Sequence, residues 1–289
     1  MPLRGACPLR LRYLEGREVE TDATLVLKIG YRGAHFSGYA EQEGMRTVAG
    51  SVRQALETLF RRPVDLTCAG RTDAGVSALE QYVSLPVWHE ELDGREPRRV
   101  WRSLMALTPE DVSIRGLYRA SEGFSARFDA LSRRYTYRIA CGNAQPVLAW
   151  DYAWWLHASL DVEAMSEAAT CLVGEHDFRS FCKVSSAQKL LEDGRSTSRM
   201  LHEVVVCQRN EVGEDLVAIT VEGNAFLHNM VRIMVGTLVE VGRGNRPASW
   251  VRKVLEARDR RAAGPTAPAK GLVFESVRYE DGALRAWTS

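Results

Sequence analysis

With 289 residues, 45% of them apolar, the chain is long enough for two ordinary domains or one large one around a sizeable core, which excludes a disordered or fibrous protein. A net charge of +1, from 38 basic and 37 acidic residues, excludes a whole-protein field strong enough to name a partner. The cysteines form no C-x-x-C pair and stand at no zinc-finger spacing with a histidine, so they read as small buried hydrophobes in a reducing compartment.

Residues 1–21 carry Arg4, Arg10, Arg12 and Arg17 without a sustained period and read as a flexible N-terminal extension. They hold no apolar run of the kind an export signal needs, so a cytoplasmic protein is expected. Thr24 to Tyr31 alternates, with Leu25, Leu27, Ile29 and Tyr31 on one face of a strand. Thr47 is placed to cap a helix through Val48, Val52, Leu56 and Leu59. Strands are expected at Val64–Ala69 and Gln81–Val87. Pro97 starts a second helix through Val100, Trp101 and Leu104, and Val112–Tyr118 closes the half as a strand. The order is that of a ferredoxin-like split βαβ unit, an antiparallel sheet with helices on one face, which also carries RNA in RRM modules.

Between the two middle strands lie Arg71, Thr72 and Asp73, framed by Gly70 and Gly75. A carboxylate at a strand end, with a cation two residues away, suits an ionised acid in a cleft. The same spacing is met by an Asx-type turn in which Asp73 bonds its own backbone.

A second α+β half is expected over 123–289, after a first over 22–122, with a central cleft between them. Ser132 to Ile139 alternates Arg and Tyr as a half-buried strand, and Arg127, Arg133 and Arg134 make a local basic patch suited to RNA. Trp150, Trp154 and Trp155 read as core or inter-domain packing. Asp161 begins a helix with Val162, Met165, Ala169 and Leu172 on one face. His176 and Asp177 are adjacent on an extended chain and face opposite ways, so they make no acid–base pair. The polar run Ser185–Ser198 reads as a loop, and Met200–Cys207 and Leu216–Val221 as strands. Asn224 opens a helix that is apolar on nearly all faces and therefore buried, with Gly242 just past its end. The stretch Ala225–Val241 is interrupted by His228, Asn229, Arg232 and Glu240, so it is not expected to cross a membrane. Arg232 on such a helix needs an acidic partner, since an unpaired buried charge is costly. His228 takes no assignable role.

Five stretches resemble one family. Gly70-Arg71-Thr72-Asp73-Ala74-Gly75-Val76 matches G-R-T-D-x-G-V. Phe124-Ser125-Ala126-Arg127-Phe128 and Arg133-Arg134-Tyr135-Thr136-Tyr137 match F-x-A-R-F and R-R-Y-x-Y. Asn224 to Arg232 matches N-A-F-x-x-x-M-V-R, and Ala267 to Leu272 matches A-P-x-x-G-L. Together, from Leu25 to Tyr279, the chain resembles the TruA-type tRNA pseudouridine(38–40) synthases. Tyr31-Arg32-Gly33 and Phe36-Ser37-Gly38 resemble its Y-D-G-x-x-[FY]-x-G-W element with two departures, Arg32 for the usual Asp and Tyr39 for the usual Trp, and Ser77 stands where many bacterial members have His.

The resemblance implies isomerisation of uridine at positions 38, 39 or 40 of the tRNA anticodon stem-loop, by a cytoplasmic homodimer needing no cofactor and no metal. It implies Asp73 as the catalytic residue, Tyr135 as the active-site tyrosine and Arg232 as the partner of Asp73; without the resemblance, Arg232 could equally meet another acid such as Glu240 or Glu175. It implies Leu272 packing in the cleft and Arg71 contacting RNA beside the extruded nucleotide. A non-catalytic tRNA-binding protein, or a synthase of the same fold with another RNA target, is the alternative.

Overall fold

The computed structural model describes residues 21–287. Apart from Thr21, the extension expected at 1–21 lies outside the described residues. Strand β1 (Ala23–Tyr31) is buried almost throughout because it is central, pairing antiparallel with β3 (Ser77–Val87) and with β4 (Val112–Ala120). Helix α1 (Val48–Phe60) begins where Thr47 Oγ1 accepts the Gly50 amide, and it buries Val48, Val52 and Leu56. A short helix α2 (His89–Asp93) precedes α3 (Pro97–Leu107), whose first amides, Arg98 and Arg99, donate to the Glu96 carboxylate. The strand expected over Val64–Ala69 pairs only as β2 (Thr67–Cys68), because the Val64 carbonyl accepts from Arg53 instead of a neighbouring strand.

In the second half come β5 (Ser132–Cys141), β6 (Trp154–Leu156), α4 (Val162–Ala169), β7 (Gly174–Asp177), α5 (Val184–Glu192), β8 (Ser198–Glu211), β9 (Glu214–Gly223), α6 (Met230–Gly242), α7 (Ser249–Ala257), β10 (Leu272–Arg278) and β11 (Arg285–Ala286). Three expectations change. The loop expected over 185–198 is largely helix α5: a short helix needs only one apolar edge, and Ala187 and Leu190 supply it against the core. The helix expected from Asn224 starts at Met230, because Asn224 is still bonded to β8, donating its amide to the Met200 carbonyl and accepting the Met200 amide on its side chain. Trp150 is 44% exposed beneath Lys270 Nζ, 3.6 Å from the ring centre, and so is no core residue. Trp154 and Trp155 are half-buried in β6.

The α+β class holds, and the strands of both halves form one continuous sheet in the order β11-β4-β1-β3-β10-β5-β9-β8-β7. β10 makes the join. It runs parallel to β3 through Val273–Ser77 and Phe274–Ala78, and antiparallel to β5 through Phe274–Tyr135 and Leu272–Tyr137. The beginning of β3, just past the 70–76 loop, is therefore held one strand away from Tyr135 and Tyr137.

Helix α6 buries every residue except Arg232 and Glu240. At Gly236 an added Cβ would lie 1.8 Å from the Pro265 carbonyl oxygen, so only glycine lets segment 263–268 run against the helix. That contact brings Ala267 to Arg232. Among the described residues no helix is long and apolar enough to cross a membrane.

Candidate active site

The 70–76 loop is fixed at both ends by hydrogen bonds. Gln81, fully buried in β3, brackets Gly70: its carbonyl oxygen accepts the Gly70 amide at 3.3 Å and its amide nitrogen donates to the Gly70 carbonyl. Thr72 shares a 2.8 Å hydroxyl bond with Tyr31, and its carbonyl accepts the Tyr39 amide at 3.0 Å. The Val76 amide closes the turn onto the Asp73 carbonyl at 3.2 Å. The turn is thus made by backbone, and the Asp73 carboxylate is free to point elsewhere.

It points at α6. Asp73 Oδ2 accepts from Arg232 Nη1 at 2.9 Å, with the two side chains 27% and 18% exposed. Arg232 is itself aimed: Nε donates to the Ala267 carbonyl at 2.8 Å, and its own carbonyl accepts the Ala267 amide at 3.0 Å. Nη1 also donates to Asn229 Oδ1 at 3.2 Å. Asn229 begins the helix at φ +63°, a left-handed backbone that asparagine tolerates better than most residues. Glu240, one of the other acids Arg232 could meet, bonds Asn245 instead.

The apolar wall is aromatic. Tyr135 is 7% exposed, its ring 5.0 Å from Phe226 and 4.7 Å from Phe274. Its hydroxyl lies over Gly70, where an added Cβ would come within 3.2 Å. Burial pushes the Tyr135 phenol well above the ordinary tyrosine range, so it stays protonated at neutral pH. Leu272 is buried at the start of β10, opposite Tyr137 in β5, and the Tyr137 hydroxyl donates to the Pro268 carbonyl at 2.8 Å.

The arginines part company. Arg71 is exposed on the loop, and Arg127 is exposed with its guanidinium 5.3 Å from the ring of Phe128, which is itself 78% exposed. Arg133 is not a surface cation. It is 8% exposed and clamps backbone, donating to the carbonyls of Ala69 at 3.1 Å, Ala130 at 3.0 Å, Asn224 at 2.5 Å and Arg127. Arg134 is neutralised by Glu222 at 2.6 Å and Glu203 at 3.0 Å. His176 contacts the Val173 carbonyl, and Asp177 accepts from Thr197 and the Arg179 amide, so both serve their own turn.

Two site residues escaped the sequence reading. Gln81 carried a signal, a polar residue inside an apolar strand. His228 carried a fainter one, its four-residue spacing from Arg232; its Nε2 lies 3.4 Å from Asp73 Oδ1. Among the described residues no cluster of His, Cys, Asp and Glu side chains gathers as a metal site.

A half-buried carboxylate is thus held by an arginine from a distant helix, and the hydroxyl of the buried Tyr135 lies against the same loop at Gly70. A family model described as tRNA pseudouridine synthase matches residues 168–280. The tRNA pseudouridine synthase A of Streptomyces griseus is 41% identical over 90% of this chain and 89% of its own length. Those of Frankia casuarinae (43% identical, over 88% of this chain and 89% of the relative) and Geobacillus kaustophilus (38%, over 89% and 94%) are similar over comparable shares of the chain. A solved Cbf5-Nop10-Gar1 complex covers 86% of this chain and 70% of its own at 11% identity, with a TM-score of 0.31.

The sequence matches define the class, an isomerase that makes pseudouridine. The chain belongs to the tRNA pseudouridine synthase A family.

Proposed function

We propose that the enzyme converts uridine to pseudouridine at positions 38, 39 or 40 of the tRNA anticodon stem-loop, with Asp73 as the catalytic carboxylate. The observation that carries this reading is the Arg232–Asp73 contact of 2.9 Å, which holds an anion at a loop tip beside Tyr135. In the reaction the N1–C1′ bond breaks, the uracil turns, a C5–C1′ bond forms, the C5 proton leaves and N1 is protonated. Asp73 acts on the nucleoside either as nucleophile or by stabilising positive charge on the sugar. In either role Arg232 sets a fixed positive charge against the carboxylate. Tyr135, kept protonated by burial, serves the uracil as a stacking surface or hydrogen-bond donor rather than as a base.

Reaching this site requires the target base to leave its stack, at about a few kcal/mol. Arg71 and Arg127, both exposed on loops, are the cations assigned to the RNA backbone. The Arg133 clamp sets the position of the loop that carries Arg127, and Leu272 packs the cleft wall. The same reading takes the enzyme as a cytoplasmic homodimer, which light scattering of the purified protein tests.

The deciding assay uses a tRNA transcript tritiated at uridine C5. Wild type releases tritium and Asp73→Asn binds tRNA without releasing it. Turnover by Asp73→Asn would remove Asp73 from the chemistry, and tRNA binding without release by wild type would favour a non-catalytic binder or another RNA target. Mapping the product assigns the position.

A further inference from the structure

A carboxylate has two oxygens, and Arg232 meets only one of those of Asp73. The other, Oδ1, faces His228 Nε2 at 3.4 Å. His228 lies in the non-helical segment that leads into α6, and it is fixed from the far side by α5. Its Nδ1 is 2.9 Å from Ser186 Oγ, and its carbonyl accepts the Lys183 amide at 3.1 Å. When the serine hydroxyl donates to Nδ1, the ring proton resides on Nε2, directed at Asp73. A separation of 3.4 Å is longer than a formed hydrogen bond. Contacts of this kind tighten when substrate excludes water from a site.

We propose that His228, braced by Ser186, is a positioning residue for Asp73. Arg232 holds Oδ2 and His228 holds Oδ1, so the plane of the carboxylate is fixed and its remaining lone pairs face the cleft. The inference rests on Asp73 being the catalytic carboxylate and adds the residue that aims it. The His228 side chain is 42% exposed and adds little to the core, so removing it separates positioning from folding.

The test is tritium release under saturating and subsaturating tRNA, with melting temperatures measured alongside. His228→Ala is expected to lower kcat about tenfold to a hundredfold, the scale of a misplaced catalytic group. KM stays within about twofold and Tm is unchanged. His228→Gln, which can place an amide N–H where Nε2 lies, recovers most of the rate. Ser186→Ala slows the wild type but has no further effect in the His228→Ala background. The proposal is overturned if His228→Ala keeps kcat within about twofold, if Gln is no better than Ala, or if Ser186→Ala acts equally with and without His228. Asp73→Asn in parallel separates the two readings: an inactive Asp73→Asn beside a fully active His228→Ala defeats the positioning role alone, and an active Asp73→Asn defeats both.

Discussion

Arg232 reaches Asp73 across 159 positions of sequence, Nη1 to Oδ2 at 2.9 Å, while its Nε stays bonded to the Ala267 carbonyl. The guanidinium, which also donates to Asn229 Oδ1, therefore spans three partners through a rigid planar fork that a lysine ammonium does not offer. Arg232→Met leaves the carboxylate facing an apolar wall, and is expected to cost about 2 kcal/mol of stability, below the figure for fully buried pairs because both groups keep some exposure. Activity falls at least about tenfold, the scale for a lost electrostatic partner. Arg232→Lys recovers part of the stability and little of the rate. Thermal unfolding and single-turnover assays of both variants check this, and a Met variant matching wild type in both would remove the pair from the mechanism.

Arg133 and Arg71 predict opposite phenotypes. Arg133→Gln frees four backbone carbonyls around the site and should lower Tm by several degrees, corresponding to about 2–3 kcal/mol. Arg71→Ala should leave Tm unchanged, raise KM for tRNA and reduce the salt slope of binding by about one. Melting curves and binding titrations at several salt concentrations distinguish them.

How much of this was legible in the sequence differs from residue to residue, for physical reasons. Short-range chemistry was readable: the Thr47 cap, the strand β1 and the Asp161 cap of α4 all rest on a few neighbouring residues. The Arg232–Asp73 contact was reachable only because both residues sit in long motifs, since nothing local to either names the other. The burial of Arg133 was not readable from alternation. It shares parity with Tyr135 and Tyr137, but Ser132, Thr136 and Arg138 of the opposite parity are buried too, because β5 lies between β10 and β9 inside the sheet. The join through β10 was not readable, because a parallel pairing between residues about 200 apart depends on the assembled sheet. Helix α5 was hidden because its apolar edge is only Ala187 and Leu190.

Tyr135 lies between Phe226 and Phe274 with its hydroxyl over Gly70, so ring and hydroxyl make separable contributions. Tyr135→Phe keeps both ring contacts and should leave Tm within about one degree, with any loss confined to turnover. Tyr135→Leu removes the ring–ring contacts and should cost about 1–3 kcal/mol as well. Because burial keeps the phenol protonated, the wild-type pH–rate profile should show no limb below pH 10 that disappears in Tyr135→Phe. Finding such a limb would make this tyrosine a base.

The buried phenols also set the alkaline limit of the fold. Burial pushes Tyr31, Tyr135 and Tyr137 above the ordinary value of 10.0, and pushes the Cys68 thiol from 9.0 up to about 11. In the unfolded chain these groups lose their protons near their ordinary values, while in the folded chain they keep them. Above pH 9 the unfolded state therefore binds fewer protons than the native state, and stability falls as pH rises. The contribution is complete below pH 9, declines from there as the unfolded thiol ionises, and declines more steeply past pH 10 as the unfolded phenols follow. Melting temperatures should be level from pH 7.5 to 8.5 and fall by several degrees at pH 10.5. Tyr31→Phe loses the 2.8 Å bond to Thr72 and so starts lower, but with one titrating group fewer its Tm should fall less steeply with pH. Parallel slopes for Tyr31→Phe and wild type would assign the alkaline loss to other groups.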